Sequence, residues 1–177
     1  DVSLYEALYK RKTDRDFSPD KFMTLTQVSH CLWCCYGPNR EHGYKVVPSA
    51  LFICPLEIYA FMKCGVFKYD PDKYELIPVL EGDHRADTSV HIEVSNPKIA
   101  QSFVKDAALN IVIMADLRKT GPYAEGAKMP LEHKIHCARN DMGHCAQNVY
   151  LYCAKEGLKC CERGWADEKV LKDLLKL

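Results

Sequence analysis

Apolar and polar positions follow two rhythms along this chain, and the switches between them mark its elements. Leu4, Ala7 and Leu8 recur at helical spacing behind Ser3, with Glu6 completing a capping-box pattern, so a first helix is expected from about Leu4 to Arg11. Thr24 and Gln27 repeat that pattern and open a second helix through Leu32, Trp33 and Tyr36, which Gly37-Pro38 stops. Asn39 to Tyr44 is polar and reads as a loop. Leu56 to Met62 alternates in part and is rich in β-formers, which predicts a strand. Gly65 to Tyr69 and Tyr74 to Leu80 read as short strands around the turn signal Asp70-Pro71-Asp72. Asn96-Pro97 opens an expected helix containing Ile99, Phe103 and Ala107. The apolar run Asn110 to Ala115 is expected as a central strand.

The longest helical pattern runs from Leu131 to Glu156. Ile135, Ala138, Met142, Cys145, Val149 and Tyr152 recur at steps of three and four, giving one continuous stripe. Leu151 and Ala154 add apolar surface on another side, so the helix is expected to be central or to pack on a partner subunit. Gly143 costs helix stability and suggests close packing; Gly157 is the expected cap. Lys159 to Arg163 reads as a short strand, and Asp167 caps a last helix carrying Val170, Leu171, Leu174 and Leu175. The pattern shows no internal repeat and no low-complexity linker, which predicts one α+β domain over residues 1–177.

Composition narrows the class. The chain has 177 residues, enough for one real core, and 24 basic against 24 acidic residues. That balance argues against a nucleic-acid footprint, where a basic excess is expected. No apolar run reaches membrane-spanning length, since Pro55, Glu57 and Lys63 break the stretch from Leu51 to Cys64. No signal peptide is visible, and a start at Asp1 leaves a removed leader open. Ten cysteines sit mostly in apolar segments, which favours reduced thiols and a cytoplasmic setting over a secreted disulfide scaffold. Cys31 and Cys34 form a C-x-x-C that no strand feeds. A zinc site would need a second pair such as Cys160-Cys161 or His133 with His136, and adjacent cysteines are poor tetrahedral partners, so no metal is expected.

Four segments carry candidate chemistry. Arg11-Lys12-Thr13-Asp14-Arg15 sets three cations around a hydroxyl at a helix exit. Such a group can grip a phosphate, and equally it can complement the helix dipole with no ligand at all. Pro48-Ser49-Ala50 precedes a strand where backbone groups could face a flat ligand, or is a plain connecting loop. Gln147-Asn148 lies amid apolar residues, where a buried amide needs a partner from a loop or from a ligand. Gly157-Leu158-Lys159 ends the long helix and reads as a glycine cap.

In this order, these segments resemble the flavin-dependent nitroreductase family. The resemblance rests on Arg11-Lys12-Thr13-Asp14-Arg15-Asp16-Phe17, Leu32-Trp33-Cys34-Cys35-Tyr36-Gly37, Pro48-Ser49-Ala50, Gly82-Asp83-His84-Arg85 and Gln147-Asn148-Val149-Tyr150-Leu151, leading into Glu156-Gly157-Leu158. The Pro-Ser-Ala and Gly-Asp-His-Arg elements look most like its short branch, which includes azoline-oxidising dehydrogenases of peptide-modifying systems. The resemblance implies a mixed or antiparallel sheet flanked by helices, a homodimer formed through long central helices, and FMN at the subunit interface. It implies that Arg11, Lys12 and Thr13 hold the FMN phosphate and ribityl chain, and that Arg15 lies near the pyrimidine edge. Pro48, Ser49, Ala50 and Leu51 are implied to line the ring, and Asn148 to reach the ribityl or ring region. Gly157 and Leu158 are implied to present backbone groups near the flavin N5, and Arg163 to assist with phosphate.

Two departures stand out. Thr13 replaces a more usual Ser, keeping the hydroxyl. Family members usually continue beyond the last helix, whereas this sequence stops at Leu177, so either Arg163 and Lys159 compensate or FMN is held more weakly. The activity implied is hydride transfer from NADH or NADPH through flavin N5 to a nitroaromatic, quinone or similar small acceptor, with no side chain required as acid or base. His84, His136 and His144 read as ordinary histidines. The alternatives are a flavin-binding protein without turnover and an azoline dehydrogenase component that acts only within a larger assembly.

Overall fold

The computed structural model describes residues 2–89, 101–119, 121 and 129–177. Helix α1 spans Leu4–Lys10, with the Ser3 side chain accepting the Glu6 N–H; Arg11 is its C-cap. Helix α2, Leu25–Tyr36, opens with a full Thr24–Gln27 capping box. Its end depends on space: a Cβ on Gly37 would lie 2.2 Å from Trp33 Cδ1, while the Gly37 backbone itself is extended. The Trp33 indole N–H donates to the Pro38 carbonyl at 2.9 Å and so lies across the glycine.

Strands β1 (Leu56–Met62), β2 (Gly65–Asp70), β3 (Glu75–Glu81) and β4 (Leu109–Ala115) form one antiparallel sheet in the order β3-β2-β1-β4. The first strand begins and ends where the sequence places it. The expectation of a central strand over 110–115 is corrected: among the described residues β4 is an edge strand, paired with β1 only. Its unbroken apolar run has another cause, because both of its faces are covered. Ile111 and Ile113 join Ile58, Ala60, Val28, Leu32 and Cys145 in one core, and Val112 and Met114 join Tyr59, Phe61, Leu171 and Leu175 in another.

The 26-residue helix α3, Leu131–Glu156, has the predicted bounds and ends at Gly157, whose φ of 69° suits glycine. Helix α4, Glu168–Leu175, starts under Asp167, which accepts the Val170 N–H. On α3 the stripe points inward as expected, with Ala138, Cys145 and Tyr152 buried. The expected apolar outer girth is corrected. Exposed positions include Glu132, His136, Arg139, Asn140, Gly143 and Gln147, so the outward face is polar. A Cβ on Gly143 would meet nothing within 4 Å, so among the described residues no close packing explains that glycine. Exposed large apolar side chains cluster on α1, where Leu4, Tyr5, Leu8 and Tyr9 are 64%, 85%, 46% and 92% exposed, whereas on α3 Leu131, in its first turn, is exposed to this degree.

Two further expectations change. The segment 159–163 is irregular, because its backbone bonds leave the sheet: the Cys160 carbonyl accepts the Asp14 N–H and the Glu162 N–H donates to the Tyr150 hydroxyl. Of the helix expected after Asn96-Pro97, residues 96–100 lie outside the described residues. Phe103 sits in a single 3-10 turn, Ser102–Asp106, that Ala107 closes.

Candidate functional site

The basic loop after α1 is bound to the segment after α3, far away in sequence. The Thr13 Oγ1 and Tyr150 hydroxyl are 2.9 Å apart, and Tyr150 also accepts the Glu162 N–H at 2.8 Å. The Arg11 guanidinium lies 5.3 Å from the Tyr150 ring centre. Asp14 N–H donates to the Cys160 carbonyl at 2.9 Å. Lys159 bonds both the Asp16 carbonyl and its carboxylate, the latter at 2.7 Å. The Asp16 N–H in turn donates to Asp14, which holds that carboxyl below its ordinary pKa. These ties set Arg11, Lys12, Thr13 and Arg15 on one loop. Lys12 pairs with Asp14 at 3.2 Å yet keeps its side chain 75% exposed.

Three predicted residues have other work in this chain. The Gly157 and Leu158 N–H groups both donate to the Cys153 carbonyl, closing α3, so what they can offer a ligand is their carbonyls rather than their N–H groups. Arg163 Nη1 donates to the Thr88 carbonyl at 2.8 Å and to Gln101 Oε1 at 3.0 Å; burial pulls its pKa down. Lys159, expected to assist Arg163, is spent on Asp16. Gly82-Asp83-His84-Arg85 is a structural clamp. Arg85 is buried, donates Nε and Nη2 to the Asp83 carboxylate at 2.8 and 2.7 Å, and Nη1 to the Ala107 carbonyl.

Pro48, Ser49, Ala50 and Leu51 form a second cluster against a different side of α3. Ser49 Oγ donates to Asp141 Oδ2 at 2.6 Å and accepts the Cys54 N–H at 2.9 Å. The cavity beside them, lined in part by Ile53, Lys134 and Cys137, holds about 10 Å³, room for one water and far below a cofactor pocket of several hundred Å³. Asn148 is half-buried.

The geometry divides the predicted residues into two groups. Asp141 and Tyr150 are nine positions apart on α3, which is about 2.5 turns and roughly 13 Å along the axis, so they leave the helix on opposite sides. Helix α3 therefore stands between the Thr13 cluster and the Ser49 cluster. Sequence reasoning gave Tyr150 and Asp141 no role. Asp141 was detectable as a carboxylate on the same helical face as Ala138 and Cys145, where a buried charge demands a partner.

The basic loop is carried on an α+β scaffold built around one antiparallel four-stranded sheet. A Ralstonia eutropha JMP134 protein designated a nitroreductase, known from a crystal structure, has the same fold. It has a TM-score of 0.80 and 27% identity over 99% of this chain and 76% of that one. The chain belongs to the nitroreductase family, whose profile matches residues 8–177. It is also 28% identical to the nitroreductase-designated protein MJ1384 of Methanocaldococcus jannaschii, over 100% of this chain and 86% of that protein. The fold recurs in a chain of the E. coli microcin synthetase McbBCD complex with truncated pro-MccB17 bound. That match has a TM-score of 0.65 at 16% identity and covers 100% of this chain and 67% of that one.

Proposed function

We propose that the chain is an FMN-dependent oxidoreductase that acts as a homodimer, drawing electrons from NADH or NADPH and delivering them to a nitroaromatic, quinone or similar acceptor. The observation that carries this reading is the division of the site residues between opposite sides of α3. One copy offers a basic, hydroxyl-bearing loop on one side and the Pro48–Leu51 wall on the other, which suits a cofactor lodged between two copies. The exposed apolar face of α1 supports a second copy, because a patch of that kind is rarely left uncovered.

The donor set fits FMN. Three cations and the Thr13 hydroxyl share one loop, and a phosphate is recognised by such charge-assisted donors. In this reading Arg11, Lys12 and Thr13 hold the phosphate and ribityl chain, and Arg15 sets a positive charge at the pyrimidine edge. The partner copy's Pro48–Leu51 segment lines the ring, with Asn148 beside it and the Gly157 and Leu158 carbonyls at the far edge. Arg163 keeps the 158–163 segment in place from behind. FMN, when bound, supplies the two-electron chemistry that hydride exchange at N5 requires. The chain positions, charges and shields the site, and no side chain acts as acid or base. Ten free thiols suit a reducing compartment such as the cytoplasm.

The test is spectroscopic. Protein purified with added FMN should be yellow after desalting, and NADH or NADPH should bleach it, with oxygen or a quinone restoring the colour. Protein that stays colourless sinks the cofactor assignment; colour without bleaching reduces it to flavin binding without turnover.

A further inference from the structure

Asp141 is a buried carboxylate, 3% exposed, that the activity proposed above leaves unused. Its Oδ2 accepts a hydrogen bond from the Ser49 hydroxyl at 2.6 Å, within the range for a hydroxyl bonded to a carboxylate; burial raises its pKa and the Ser49 bond works against that rise. A serine hydroxyl has one proton and two acceptor positions. The proton goes to Asp141 and one acceptor position to the Cys54 N–H at 2.9 Å. What remains to Ser49 is a single acceptor position.

The turn that Ser49 bridges is unusual. Leu51, Phe52 and Cys54 have φ of 51°, 54° and 47°, a left-handed conformation that non-glycine residues rarely adopt. Conformations of this kind persist only when surrounding structure enforces them. Two devices do so here. The Ser49 hydroxyl ties both ends of the turn to each other and to α3. From the other side Gly121 lies so close that a Cβ there would be 2.2 Å from the Leu51 carbonyl oxygen.

We propose that Asp141 is a positioning residue for the ring-lining wall: it fixes the Ser49 hydroxyl as an acceptor and locks the turn 51–54, with its three left-handed residues, into the shape that meets the flavin. This rests on the FMN reading above. It implies that the Pro48–Leu51 wall favours a ring edge carrying an N–H donor, and that a fixed negative charge lies behind that wall.

The experiment uses the full chain with FMN at pH 8. It compares wild type, Asp141→Ala, Asp141→Asn, Ser49→Ala and the Asp141→Ala/Ser49→Ala double variant. FMN affinity comes from flavin fluorescence quenching, the midpoint potential from a redox titration, and folding from thermal melts. Asp141→Ala and Ser49→Ala should each weaken FMN binding at least tenfold, and the double variant should be no weaker than the worse single one, because the two groups act as a unit. Asp141→Asn keeps an oxygen for the Ser49 hydroxyl. It should hold affinity within about threefold of wild type while its flavin potential moves positive, since the charge is gone. A merely structural Asp141 would lower the melting temperature and leave affinity and potential unmoved, and that result overturns the proposal. If Asp141→Ala fails to fold, an unchanged potential in Asp141→Asn overturns it alone. Wild type that takes up no FMN instead defeats the parent reading, and this inference with it.

Discussion

Thr13 and Tyr150, 137 residues apart in sequence, meet hydroxyl to hydroxyl at 2.9 Å. Through that contact the end of α1 is joined to the last third of α3, and Tyr150 passes the connection on to Glu162. Removing the Tyr150 hydroxyl strands the Glu162 N–H and frees the basic loop. Tyr150→Phe should cost about 1–2 kcal/mol in urea denaturation, the usual penalty for a part-buried donor left unsatisfied. It should also weaken FMN binding several-fold, read by fluorescence. Unchanged stability together with unchanged affinity would show that the contact organises nothing.

Arg85 is buried and depends on Asp83. The guanidinium bonds hold the Asp83 carboxyl below its ordinary value of 3.8. A carboxyl with a depressed folded-state pKa contributes stability that is complete above the unfolded value and lost as pH falls through the lower, folded one. Asp83 is partly exposed, so solvent screening reduces the effect. Asp83→Asn should cost about 2 kcal/mol at neutral pH, somewhat below the range for breaking a fully buried pair. Wild-type melting temperature should drop more steeply below pH 4 than that of the variant. Parallel curves for the two proteins would contradict the linkage.

Gly37 is a matter of space. Gly37→Ala puts a methyl 2.2 Å from the Trp33 ring, so the indole must leave the Pro38 carbonyl. A loss of about 1–3 kcal/mol is expected, as for other overpacked sites. Tryptophan emission should shift to longer wavelength as the ring gains water. An unshifted spectrum in a stable variant would mean the ring can adjust freely.

Gly143 separates what happens within one copy from what happens between two. Among the described residues nothing lies within 4 Å of a Cβ there, and replacing a mid-helix glycine should stabilise α3 by up to about 1 kcal/mol. Harm from Gly143→Leu is therefore expected to come from a second copy. A dimer through the long helices, which the family resemblance implies, predicts that this variant sediments as a monomer with its helix content intact. A Gly143→Leu protein with wild-type sedimentation would remove this face from the interface.

Much of the fold was readable because local signals agreed. The Thr24–Gln27 box, the Asp70-Pro71-Asp72 turn, the α3 stripe and the Gly157 cap each report on a few neighbouring residues, and the structure follows them. Errors arose where distant groups decide. The apolar run 110–115 looks central because α4 covers the sheet face that bears Val112, which no local pattern reveals. Residues 159–163 look like a strand because of composition, yet their hydrogen bonds go to Asp14 and Tyr150. In the site, the cationic loop was legible from residue types alone. The commitments of Arg163 and Lys159 were not, because their partners Thr88, Gln101 and Asp16 are remote in sequence.

Helix α3 bears one cluster on each flank. In the two-fold pair proposed above it would be an axle common to both cofactor sites, and a tilt that tightened one flank would alter the grip on the other. Occupancy of the two sites would then be thermodynamically linked, in equal measure in both directions. Calorimetric titration of the dimer with FMN should resolve two unequal steps; two identical, independent steps would mean the axle is too stiff to transmit anything.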